Sequence, residues 1–197
     1  MKKFTLIALI AIVMGIGSVA VFSYYRNLSN PKTTYVSSIL AEITPDDLVK
    51  QSSGIVLGKV EKIQAIKIPS KIRANKEDIV TIATVKVEKY LANSKNLSAS
   101  YIDVQVLGGT VGNETMIAED SPTFEQGDQA IIFLNEMDAS INAFTIYAGV
   151  QGKFTIQTDG SVGNDKERVY FEKVFGKDMT LRELEDKIAS ISSSLSN

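Results

Sequence analysis

Hydrophobic and polar positions divide this chain into three regimes. Phe4–Phe22 is an apolar run without charge or proline, preceded by Lys2 and Lys3. As a helix its nineteen residues would span about 28 Å, close to the hydrocarbon thickness of a bilayer. Residues 26–43 are polar and predict a tether. Thr44-Pro45-Asp46-Asp47 then has the order of a helix start: a capping hydroxyl, a proline at the first position, and acids at the positive dipole end.

From Ile55 the period becomes two, predicting long strands over Ile55–Ile66 and Ile79–Leu91 around a charged loop. Tyr101–Leu107 alternates cleanly, with Ile102, Val104 and Val106 inward and Asp103 and Gln105 outward. Ile131-Ile132-Phe133-Leu134, inside a strand over Ala130–Asn135, implies burial on both faces. Strands over Ala143–Ala148 and Lys153–Gln157 follow, and Asp159-Gly160 predicts a turn into a last ribbon through Val169–Phe175. Thr180-Leu181-Arg182-Glu183 has capping-box spacing, and Leu181, Leu184, Ile188, Ile191 and Leu195 share one helical face over residues 180–195. Six or seven short-spaced strands without intervening helices predict a mainly β domain over residues 44–197, a small antiparallel barrel or sandwich, bracketed by two short helices.

The lysines before the apolar run, against Arg26 alone just after it, predict a cytoplasmic N-terminus and an exported body. A retained anchor over residues 1–25 is the favoured reading. A cleaved signal peptide, cut after Ser18-Val19-Ala20, is the alternative and would give a secreted domain. The expected partner is therefore the membrane, through residues 4–22, with another envelope protein or a glycan beyond it.

Composition narrows the chemistry. The chain has no Cys and no His, which excludes disulfides, thiol catalysis, a Ser-His-Asp triad and the usual zinc ligands. Its 21 basic and 23 acidic residues leave a net charge of −2, so nucleic acid is not an expected partner. No cofactor or metal is expected. Glu114, Glu119, Asp120, Glu125 and Asp128 crowd one segment without a calcium-loop spacing and read as solvated charge. Ser29-Asn30-Pro31-Lys32 matches S-x-x-K by letter only, in a tether rather than on a helix. Gly108–Gly112 lacks the helix and Lys-Ser/Thr of a phosphate loop and reads as a turn or bulge. Asn27, Asn96 and Asn113 begin N-x-S/T sequons that glycosylation would use.

Ordered motifs cover residues 55–156: Gly58-Lys59-Val60, Val85-Lys86-Val87-Glu88, Gly108-Gly109-Thr110-Val111-Gly112, Pro122-Thr123-Phe124-Glu125-Gln126-Gly127-Asp128 and Gly149-Val150-Gln151-Gly152-Lys153-Phe154. In this order they resemble a widespread group of uncharacterised exported bacterial and archaeal domains, similar to OB-like and netrin-like barrels. The resemblance implies an OB-like fold and brings no activity. Metalloprotease inhibitors of netrin-like fold bind through an N-terminal cysteine, which this chain lacks. Pro122–Asp128 also resembles a box of type I signal peptidases, but Glu119 stands where the nucleophilic serine would be.

No catalytic residues are assigned. Tyr147, Gln151 and Lys153 are the candidate ligand-binding residues, as a polar-aromatic patch on an outer strand face. The expected function is a membrane-anchored extracytoplasmic binding module. A hydrolase working with carboxylates alone, or a structural subunit of an envelope complex, are the alternatives.

Overall fold

The computed structural model of the chain describes residues 31–37, 40–177 and 179–194. The run 4–22, Asn27 and Leu195 lie outside them. Among the described residues no helix is long and apolar enough to cross a membrane.

The protein is mainly β, with two sheets and a few helices. Strands β1 (Lys32–Val36), β5 (Gly109–Val111) and β6 (Glu114–Ala118) form the smaller sheet, in the order β1-β6-β5. The larger contains β2 (Gly54–Pro69), β3 (Glu77–Ala92), β4 (Tyr101–Leu107), β7 (Gln129–Asp138), β8 (Ala143–Ile146) and β9 (Lys153–Ile156). Its order is β2-β3-β4-β8-β7-β9, and β2 also pairs with β7. Five strands thus close a ring, with β9 attached outside it on β7. All pairings are antiparallel except β1–β6 and β4–β8, which correct the expectation of purely antiparallel strands.

Ring closure requires β2 to serve two neighbours. Residues 54–59 pair with β7 on one side, residues 55–59 also with β3 on the other, and the rest continues as a hairpin arm with β3 alone. Register shifts between Val60 and Lys62, and at two earlier points, mark the irregularities that let so long a strand bend.

Binary patterning accounts for the two cores. Val56, Val60, Ala83, Val85, Ile102, Val104, Ala130, Ile132 and Leu134 pack inside the ring with Phe124 and Phe144. On the opposite face of β7, Ile131 and Phe133 join Ile55, Leu57 and Phe154 beneath the helices. The four-residue apolar run is therefore buried on both sides, as its pattern predicts.

Helix α1 (Pro45–Gln51) starts at Thr44, whose Oγ1 accepts from the Asp47 amide at 3.1 Å, and buries Leu48 and Val49. The C-terminal helix, α3 (Leu181–Ser193), opens on a complete Thr180–Glu183 capping box and buries Leu184 and Ile188. Both caps satisfy otherwise orphaned helical amides.

Two segments depart from the pattern reading. In place of a ribbon through Val169–Phe175, α2 covers Asp165–Phe175, and only a single bridge, Ile156–Val162, continues the strand pairing. Phe171, Val174 and Phe175 are buried at helical spacing while Val169 is exposed. The expected tether contains β1, paired in parallel with β6 from Lys32–Glu114 to Val36–Ala118. Thr33, Thr34, Tyr35 and Val36 have high strand propensity, and the exposed edge of β6 offers them backbone partners.

Candidate functional site

The three residues expected to form an outer patch are built into the structure. Lys153 begins β9 and is only 1% exposed. Its ammonium donates to Glu167 Oε1 at 2.7 Å and Thr155 Oγ1 at 2.6 Å, and stands 3.9 Å from Asp128 Oδ2. It also lies 5.3 Å from the centre of the Phe124 ring. Glu167 is the centre of this cluster, accepting also from the backbone amides of Thr155 and Asn164, at 2.8 and 3.0 Å. Gln151 is buried and donates to the Ala41 carbonyl at 2.9 Å, tying the segment before α1 to the barrel. Tyr147 donates from its hydroxyl to Gln51 Oε1 at 2.8 Å. A solvent-facing patch of these three is thereby corrected: strand alternation places Lys153 opposite Phe154, and there Glu167 at the start of α2, Asp128 and the Phe124 ring close over its side chain.

The P-x-F-x-x-G-D and Q-G-K-F segments meet at this lysine through Phe124, Asp128 and Lys153. The Lys153–Glu167 ion pair fastens α2 to β9.

The acidic residues of segment 114–128 separate. Glu114 pairs with Lys67 at 3.0 Å, and Asp128 accepts from the Glu125 amide at 2.9 Å. Among the described residues no group of three or more carboxylates is arranged to hold a metal ion. Asn96 and Asn113 are both exposed on turns, Asn96 after β3 and Asn113 between β5 and β6. Gly108–Gly112 includes β5 and its tight turn. Gly109, at φ 133°, packs where a Cβ would stand 2.6 Å from Thr81 Oγ1, so only glycine fits.

A cavity lies elsewhere among the described residues. It has a volume of about 390 Å³, within the size range of small-molecule sites. Val80 of β3, Leu107 of β4, Ile146 of β8 and Val36 of β1 supply apolar walls. The β2–β3 loop contributes Lys71 and Ile72, and Ala118 and Ser121 close it from the β6 side. Asp78, Gln105, Asp120 and Asp138 are the remaining polar features of interest.

Asp138 is held from several directions. Oδ2 accepts from Lys71 Nζ at 2.7 Å and Gln105 Nε2 at 3.2 Å, and Oδ1 accepts from the Ser140 hydroxyl and amide at 2.7 and 3.1 Å. The Lys71 ammonium first, then Ser140 and Gln105, hold its carboxyl well below the usual carboxylate range. Asp78 in turn is paired with Arg73 of the same loop. None of these residues stands out in the sequence: an acid at a strand end and basic residues in a hairpin loop are ordinary there.

A pH dependence follows for Asp138. Its folded form prefers ionisation more strongly than the unfolded chain does, so the contribution is complete above about pH 4 and is lost as pH falls through the lowered folded value. The difference in melting temperature between the native chain and Asp138→Asn should be constant from about pH 7 to 5 and close in more acid solution. A difference that persisted unchanged to about pH 2 would contradict this assignment.

No protein-family model matches the chain, and no curated protein matches it.

Proposed function

We propose that the chain is a membrane-anchored extracytoplasmic binding module, an OB-like barrel held outside the membrane by residues 4–22. The ring order β2-β3-β4-β8-β7 supports the OB-like reading, as a five-stranded barrel with its third strand in sequence beside its fifth. The resemblance of its motifs to exported OB-like domains points the same way. One observation carries the functional reading. OB barrels bind through the face of their second and third strands and the loops beside it; here the cleft is lined by β3, β4, the β2–β3 loop and Asp138 at the end of β7, where the β7–β8 loop begins. Fold-level analogy supplies the location, and the cavity supplies room and chemistry.

A hydrolase working with two carboxylates fits less well. Glycoside hydrolysis needs a general acid with a raised pKa. Asp138 is shifted in the opposite direction, and both it and Asp78 already hold basic partners.

Ligand-observed NMR on the full chain, with soluble fragments of mixed charge, tests the reading against a cleft-filled variant, Ala118→Trp. Fragment signals should be attenuated by the native chain and recover in a variant that keeps its melting temperature. Equal binding by both proteins, or no binding by either, would overturn the cleft as the site. A reporter fused after Tyr25 should be extracytoplasmic; a cytosolic reporter would overturn the location.

A further inference from the structure

We propose that the cleft takes a small organic cation, an ammonium or guanidinium on an apolar body, with Asp138 as its counter-charge and Lys71 as the built-in occupant it displaces. This rests on the cleft being a binding site and adds the chemical class of the ligand.

Charge is the first observation. Among the described lining residues Asp78, Asp120 and Asp138 stand with the cation Lys71, and Arg73, outside the lining, pairs with Asp78. The second is the contrast within the Lys71–Asp138 pair. Asp138's side chain is 7% exposed, whereas that of Lys71 is 68% exposed. Ser140 occupies one carboxylate oxygen and Gln105 shares the other, which fixes the acceptor whatever the lysine does. Lys71 reaches this acceptor from the exposed loop after β2, and its largely solvated side chain can trade the carboxylate for water when another cation takes its place. An incoming cation would replace the same charge-assisted bond and add what Lys71 leaves unused, contact with the apolar walls at Val80, Leu107 and Ile146. The cavity's volume of about 390 Å³ favours a free small molecule over a folded segment of a partner.

Arg73 repeats the arrangement on Asp78. Lys71-Ile72-Arg73 therefore presents two cations around an exposed isoleucine, covering two acids with its own basic side chains. The loop imitates the chemistry that the cleft selects.

Three probes of similar shape test the proposal: phenethylamine, 2-phenylethanol and phenylacetate, titrated into the full chain in zwitterionic nanodiscs with empty discs as the baseline. Phenethylamine should bind about tenfold more tightly than the alcohol, from a hydrogen bond to a charged acceptor, and phenylacetate should not bind. Asp138→Asn should reduce the amine to the level of the alcohol. Lys71→Ala should tighten the amine about threefold and leave the alcohol unchanged. Should Asp138→Asn fail to fold, the contrast between amine and alcohol and the Lys71→Ala series still decide.

Alcohol and amine binding equally, both lost in Ala118→Trp, would overturn the cation claim while leaving a binding cleft. No probe binding, while other fragments bind in a cleft-dependent way, has the same meaning. Absence of any cleft-dependent binding would remove both. A blocked Ala-Lys-Phe-Ala peptide binding more tightly than phenethylamine would overturn the free small molecule in favour of a basic peptide.

Discussion

Replacing Glu167 by Ala should cost about 3–5 kcal/mol of stability, because it leaves the Lys153 ammonium buried without its hydrogen-bonded carboxylate, with Asp128 at 3.9 Å as the remaining counter-charge. The loss extends beyond the ion pair. Glu167 also takes the backbone amides of Thr155 and Asn164, so one substitution releases donors on β9 and at the entry to α2. Chemical unfolding of the full chain in detergent would measure it. The double variant Lys153→Met, Glu167→Leu should recover the part of the loss that comes from the stranded ammonium, but not the part that comes from the released amides of Thr155 and Asn164. If Glu167→Ala unfolds within about 1 kcal/mol of the native chain, the buried pair does not hold α2 in place.

Gly152→Ala is the second severe change expected. A Cβ there would fall well inside contact with the Tyr147 carbonyl oxygen and 2.9 Å from Ile146 Cγ2. Neither can move freely: Ile146 pairs with Leu134 in the ring, and the Tyr147 amide donates to Phe133 at 2.9 Å. The collision is with backbone, so the cost should lie at or above the upper end of ordinary overpacking, about 3 kcal/mol or more. For a domain of this size that lowers the melting temperature by roughly 6–12 °C. A drop of less than about 2 °C would mean that β8 and the turn before β9 yield more easily than their pairing implies.

These two sites also show what could be read in the chain and what could not. The double burial of β7 is a local pattern that survives folding, and so is the inward set Ile102, Val104 and Val106 of β4, whereas Gln105, expected outward, is buried against Asp138. Helix caps at Thr44 and Thr180 are equally local, each made within four residues. Helix α2 is different. Val169 and Phe171 alternate like a strand, and the segment becomes helical where Phe171, Val174 and Phe175 meet Phe154 and Phe133. Those partners lie on strands β7 and β9, so no window of sequence contains the reason. Lys153 was misplaced for the same cause: a charged residue at a strand start reads as exposed until the glutamate fourteen positions later is known to reach it. The cleft is less legible still, since Lys71 and Asp138 stand 67 positions apart.

The strand contributed by Lys32–Val36 sets a leash length. Only nine residues, 23–31, separate it from the apolar run, and fully stretched they reach about 32 Å. If that run is embedded, the barrel cannot wander from the lipid surface. Val36, which ends the strand, is also a wall of the cleft, so the cleft too would be confined to the first few nanometres above the headgroups. A molecule bound there would then be held close to the bilayer surface.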